Sequence, residues 1–141
     1  MNKKMNIVIV GLGNIGSYFY NYLRKNKDVI FNKTNTIPNI LFVSAKSFSK
    51  KRKFHLSKKI WLKNYLAATK MKNVDIIVEL IGGAEGPAKK LVFDALKNKK
   101  HVITANKALV SKYGDQLAKI AEKNKVNFEF EAAVCGGIPI I

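Results

Sequence analysis

The sequence predicts an α/β protein, a Rossmann-type doubly wound parallel sheet in a single domain, on three observations. A β-branched apolar run, Met5 to Val10, stops at a glycine turn that opens a helix-spaced segment. Short apolar runs then alternate with helix-spaced segments along the whole chain, which is the order that builds a parallel sheet, and right-handed crossovers make such a sheet doubly wound. The 141 residues, 48% of them hydrophobic, are enough to fill one core.

Met5 to Val10 (MNIVIV) suits a strand buried on both faces. From Asn14 onward, Ile15, Tyr18, Phe19, Tyr22 and Leu23 recur at helical spacing until the Lys-Asn-Lys break around Asn26. A polar connection containing Pro38 leads to a second strand, Ile40 to Ser44, and the basic stretch Lys46 to Lys59 reads as a loop. Trp61, Leu62, Tyr65, Leu66 and Ala68 make Ile60 to Met71 a helix candidate. Val74 to Ile81 (VDIIVELI) is a third strand, halted by Gly82 and Gly83. Pro87 stands where a helix's first turn tolerates proline, and Leu91, Val92, Ala95 and Leu96 carry that helix to Lys97. His101 to Thr104 is a fourth strand, Tyr113 to Asn124 a further helix and Val126 to Glu131 a fifth strand.

Composition excludes several classes. Neither of the longest apolar stretches, Met5 to Tyr22 or Ile76 to Ala84, the second of which includes Glu79, supplies the roughly 20 consecutive apolar residues of a membrane span. A single cysteine, Cys135, rules out an internal disulfide framework and a cysteine-rich zinc site, and makes the cytoplasm the default compartment. The net charge of +17 would suit nucleic acid, but only Arg24 and Arg52 are arginines, and lysine and asparagine are enriched together. Such enrichment reflects biased composition at surface positions, so nucleic acid is not the expected partner.

Gly11-Leu-Gly-Asn-Ile-Gly16 is a G-x-G-x-x-G between a strand and a helix, the context in which this motif binds dinucleotides. Gly11 permits the tight turn, Gly13 lets backbone approach a pyrophosphate, and Gly16 lets helix and strand pack closely. Asn14 and Ile15 open the helix, whose free N–H groups favour the phosphates. An acid holding the ribose 2′-hydroxyl is expected about 20 residues on. None occurs between Asp28 and Asp75; the second strand runs instead into Lys46, Lys50, Lys51, Arg52 and Lys53. An acid would repel a 2′-phosphate and cations would pair with it, so this loop favours NADP, with NAD as the alternative.

The segments VELIGG (78–83), KKHVITANKALVSKYG (99–114) and FEAAVCGGIPII (130–141), with GLGNIG before them, resemble homoserine dehydrogenases in order and approximate spacing. The resemblance covers Met5 to Ile141, with Asn26 to Lys72 generic. It implies an NAD(P)-binding domain over 1–141 and a substrate and dimerisation domain beyond Ile141. It also implies reversible hydride transfer between NADP(H) and L-aspartate 4-semialdehyde or L-homoserine, in an enzyme that is homo-oligomeric when complete. The isolated 141 residues are then expected to be inactive. Gly82, Thr104 and Asn106 would lie by the nicotinamide end, and Lys107 would point its ammonium at the reacting carbonyl, to polarise it or take part in proton transfer. The same resemblance implies a monovalent cation such as sodium, held by the Glu131 carboxylate and the carbonyls of Val134, Gly136 and Ile138, although Glu131 could equally cap its loop. Cys135 is read as a small buried residue, because no histidine lies near it in sequence to make it a nucleophile. The alternatives are another small amino-acid dehydrogenase, which the TANK segment (104–107) opposes, and a non-catalytic module binding nucleotide or nucleic acid.

Overall fold

β1 (Lys3–Val10) can occupy the middle of a sheet because both its faces are apolar: Ile7 and Ile9 pack on one side, Val8 and Val10 on the other. In the computed structural model, which describes residues 3–134, it is flanked by β2 (Thr36–Ser44) and β3 (Ile76–Glu79). β4 (His101–Thr104) and β5 (Phe128–Glu129) complete a five-stranded sheet in the order β2-β1-β3-β4-β5, with every pairing parallel. The chain winds outward from β1 in one direction, then returns to β1's other side and winds the opposite way.

The crossovers cover both faces. α1 (Asn14–Lys25) packs Tyr20 and Leu23 against Ile7, Ile9 and Val78. α3 (Pro87–Lys97) and α4 (Lys107–Asn124) bury Leu91, Val92, Leu96, Leu109 and Leu117 against Val8, Val10, Ile77 and Val102 on the other face. Among the described residues, no helix is long and apolar enough to cross a membrane.

Several local expectations need correction. The polar connection before the second strand holds an additional helix, α2 (Lys27–Thr34), which buries no residue and therefore leaves no apolar stripe to detect. β2 begins before Pro38, which pairs with Met5; an edge strand tolerates the missing N–H. Ile60 to Met71 is not an α-helix. Trp61 bridges to Val43 and the Leu62 N–H donates to the Val43 carbonyl at 2.8 Å, so this segment screens the free edge of β2, and only 3-10 turns at Lys58–Ile60 and Tyr65–Lys70 remain. α4 starts six residues before Tyr113, at Lys107, because Asn106 caps it. Glu131 lies in a 3-10 turn, Glu131–Ala133, beyond the short β5. The apolar spacing in α1 correctly indicates a helix, yet Ile15, Tyr18 and Tyr22 are exposed while Gly16, Tyr20 and Leu23 face the sheet.

Lys100, just before β4, is 9% exposed and donates from Nζ to the carbonyls of Met71 at 2.7 Å and Val74 at 2.8 Å. It ties the start of β4 to the turn entering β3. Lys100→Met keeps the aliphatic stem but strands both carbonyls, so urea unfolding should register a loss of about 1–3 kcal/mol; unchanged stability would mean that water replaces the ammonium freely.

Candidate functional site

The winding direction reverses between β1 and β3, and in an open parallel sheet ligands bind beyond the carboxyl ends of strands at such a reversal. Here the reversal sets Gly11 beside Leu80. The Leu80 N–H donates to the Val10 carbonyl at 2.8 Å, and the Gly11 N–H donates to the Ser44 carbonyl at 2.8 Å, which anchors the glycine turn to both neighbouring strands. A cleft of about 560 Å³ opens at this point, bordered by Gly11, Gly13, Ser44, Lys46, Ile81 and Pro87.

The three glycines are needed for different reasons. Gly11 has φ of +108°, and a Cβ on it would stand 2.3 Å from the Leu80 carbonyl oxygen. A Cβ on Gly16 would lie 1.9 Å from the Gly11 carbonyl oxygen. Both positions are closed by the protein itself. At Gly13 a Cβ would meet nothing within 4 Å, and the backbone there is extended with φ of −76°. Nothing in the fold requires glycine at that position, whereas a pyrophosphate drawn onto the backbone would. Gly13 also begins α1 with no side-chain cap and no acid in the first turn, so Asn14 and Ile15 stand at a helix end that favours anions. These residues fit a dinucleotide.

The loop after β2 supplies the cleft's charge. Lys46, Lys50, Arg52 and Lys63 border it, and among the described residues no acidic one does. Arg52 is committed to the loop itself: its guanidinium donates to the carbonyls of Ser47 at 2.8 Å, Phe48 at 2.9 Å and Lys50 at 3.0 Å. Lys46, Lys50 and Lys63 are exposed and form no ion pair among the described residues. Of the cleft's cations, Lys46, Lys50 and Arg52 belong to the basic run named from sequence, whereas Lys63 comes from a segment that looked generic.

Beyond the residues that line the cleft, at the ends of β3 and β4, hydrogen bonds join Gly82, Thr104 and Asn106 through Glu79 and Gly83, with Lys107 next in the chain. The Glu79 carboxylate, at the end of β3 and fully buried, accepts from the N–H groups of Ile81 at 2.7 Å and Gly82 at 3.1 Å, and from the Thr104 hydroxyl at 2.6 Å. Asn106 caps α4 by accepting the Leu109 N–H at 3.1 Å, and its side-chain amide donates to the Gly83 carbonyl at 2.7 Å. Lys107 is exposed at the first position of α4. A cation there opposes the helix dipole, at about 0.3–1 kcal/mol, so its position is not explained by helix stability. Farther along the same loop, Glu85 contacts Lys112 at 2.7 Å, Lys89 at 3.1 Å and the Tyr113 hydroxyl. The Lys112, Tyr113 and Lys89 hydrogen bonds hold the Glu85 carboxyl at about 2, below its ordinary 4.5, so this surface latch between the loop and α4 stays charged at neutral pH.

Glu131 is exposed, and its carbonyl accepts the Val134 N–H at 3.1 Å. Gly136, Ile138 and Cys135 lie outside the described residues. Among the described residues, no cluster of three His, Cys, Asp or Glu side chains could hold a metal.

Comparison with known proteins gives one answer. The model of the homoserine dehydrogenase NAD binding domain matches residues 11–131. Homoserine dehydrogenase from Neisseria gonorrhoeae is 40% identical over 139 residues, covering 99% of this chain and 32% of that protein. The Bacillus subtilis enzyme is 35% identical over 139 residues, with the same 99% and 32% coverage. The crystal structure of a homoserine dehydrogenase from Thiobacillus denitrificans superposes with a TM-score of 0.87 at 37% identity, covering 98% of this chain and 32% of that one. The chain thus spans about a third of the length of the curated relatives it matches.

The contrast between the glycines can be tested directly. Gly13→Val should leave stability within about 0.5 kcal/mol and abolish NADPH binding, whereas Gly16→Ala should cost about 1–3 kcal/mol through overpacking. Thermal unfolding and calorimetric titration read the two effects separately; retained affinity in folded Gly13→Val would remove the phosphate contact from this turn.

Proposed function

The chain belongs to the homoserine dehydrogenase family, and from that premise we propose that it forms the NAD(P)-binding domain of an enzyme interconverting L-aspartate 4-semialdehyde and L-homoserine with NADP(H), on the route to threonine and methionine. The observation that carries the nucleotide part is Gly13, a glycine that the protein's own packing does not need. Family membership favours an oxidoreductase over a non-catalytic module.

The bound nicotinamide nucleotide supplies the hydride, and the chain's residues bind and orient it. Gly11 to Gly16 hold the pyrophosphate on the first turn of α1. Lys46 pairs with a 2′-phosphate, and Lys50 and Lys63 add positive charge around it. This charge, with no acid among the described residues that line the cleft, supports NADP over NAD. Gly82, Thr104 and Asn106 form the nicotinamide end, and Lys107 presents its ammonium to the carbonyl being reduced. Its unfavourable place at a helix amino terminus supports such a role, since function accounts for it and stability does not.

Glu131 and the carbonyls of Val134, Gly136 and Ile138 are the donors proposed for a monovalent cation such as sodium. Hard oxygen ligands suit it. The surfaces that clamp the amino-acid substrate and build a homo-oligomer belong, in this reading, to a part of a cytoplasmic enzyme outside these 141 residues.

Three outcomes follow. NADPH should bind more tightly than NADH by calorimetry at fixed salt, and Lys46→Glu should narrow the gap about tenfold, as loss of a charged hydrogen bond would; equal affinities in the unaltered chain would overturn the NADP assignment. In an enzyme joining this chain to a relative's substrate-binding portion, Lys107→Ala should lower turnover about a hundredfold or more while NADPH affinity changes little. Residues 1–141 alone should bind NADPH without oxidising it when semialdehyde is added, because the second reactant is not positioned.

A further inference from the structure

We infer that Glu79 is a positioning residue: its buried carboxylate locks the Gly82–Gly83 loop and the Asn106–Lys107 helix start into one unit, setting the nicotinamide side of the crevice without touching the nucleotide. The inference rests on the nucleotide reading above. It starts from an anomaly of burial, since a carboxylate within an apolar parallel strand is costly unless each oxygen is satisfied. Glu79 is 0% exposed, and both its oxygens are used.

The hydrogen bonds close a ring. Oε1 takes the N–H groups of Ile81 and Gly82, where the chain turns into two consecutive glycines at φ of +85°. Oε2 takes the Thr104 hydroxyl proton, and β3–β4 pairing sets Glu79 directly opposite Thr104. The same hydroxyl oxygen accepts the Asn106 N–H at 3.0 Å, and the Asn106 side chain returns to the Gly83 carbonyl. Loop, strand β4 and the cap of α4 are thereby fixed to one carboxylate.

Proton bookkeeping makes the ring directional. A hydroxyl has one proton, and Thr104 gives it to Glu79, so Thr104 has none to offer a ligand. The Asn106 carbonyl oxygen is occupied by Leu109, and one of its two amide hydrogens by Gly83. The second amide hydrogen is the one side-chain donor the ring leaves for a nucleotide. Thr104 therefore acts through Asn106. Glutamine at position 79 has the right shape and the wrong polarity: with its oxygen kept on Ile81 and Gly82, its amide donates to Thr104, whose own proton is then left without a buried partner.

Adenosine 2′,5′-bisphosphate, which carries only the adenine half of NADPH, separates positioning from general loosening of the fold. Titrated into the folded 141-residue chain, Glu79→Gln should weaken NADPH about tenfold and leave the bisphosphate within about twofold. Thr104→Val should reproduce that split and Thr104→Ser, which keeps the hydroxyl, should restore the unaltered affinities; this pair decides the matter if Glu79→Gln does not fold. Equal weakening of both ligands, or no effect on NADPH, overturns the inference. If the unaltered chain binds the bisphosphate but Glu79→Gln leaves NADPH untouched, positioning alone fails; if the unaltered chain binds neither ligand, the nucleotide reading falls and the inference with it.

Discussion

The parallel pairing of β1 with β3 is the constraint on which the remaining features depend. It runs in register from Ile7 opposite Ile76 to Val10 opposite Glu79, so the glycine turn and the Leu80–Gly83 loop leave the sheet side by side. Because β2 pairs on β1's other edge, the turn is also gripped from Ser44. A parallel pair needs a long crossover, and here the crossovers leave to opposite sides, which keeps any helix from filling the space above β1 and β3. The crevice is a consequence of topology. Its residues merely decide what enters.

Those residues divide by what requires them. Gly11 and Gly16 serve the backbone, as the carbonyl oxygens of Leu80 and Gly11 would collide with any side chain. Gly13, the uncapped start of α1 and the lysines of the β2 loop, which form no ion pair among the described residues, serve no evident internal purpose and agree in charge and shape with a phosphorylated ligand. Lys107 belongs with this second group, since it sits at a helix end where an acid would stabilise more. Across the crevice the loop after Glu79 is held at two points to α4, by Asn106 at Gly83 and by Lys112 and Tyr113 at Glu85. Loop and helix therefore move together if they move.

Much of this was legible in the sequence. The fold class, the turn and the limits of α3 and β4 follow from periodicity and glycine placement, because strands buried on both faces and helices with strong apolar stripes leave clear patterns. Features without such a pattern were lost. α2 buries nothing, the Trp61 segment follows a strand edge instead of its own periodicity, and α1 turns Tyr18 and Tyr22 outward although aromatic spacing pointed them in. The start of α4 was recoverable from Asn106 as a cap. Glu79 was also visible, as the one acid inside the apolar run IIVELI (76–81), but its partners are loop amides and a residue 25 positions away, which no local pattern reveals.

The central claim is that one crevice, between the ends of β1 and β3, receives the whole nucleotide. Mapping amide shifts of the isotopically labelled chain during NADPH titration tests it most directly. Saturable changes should gather at Gly11, Gly13, Asn14 and Ile15, at Lys46, and at Gly82, Gly83, Asn106 and Lys107, while β5 and the carboxyl end of α4 stay still. Shifts confined to the lysine-rich stretch 50–59 and abolished by modest salt would instead reveal non-specific attraction to a basic surface, and would contradict the account.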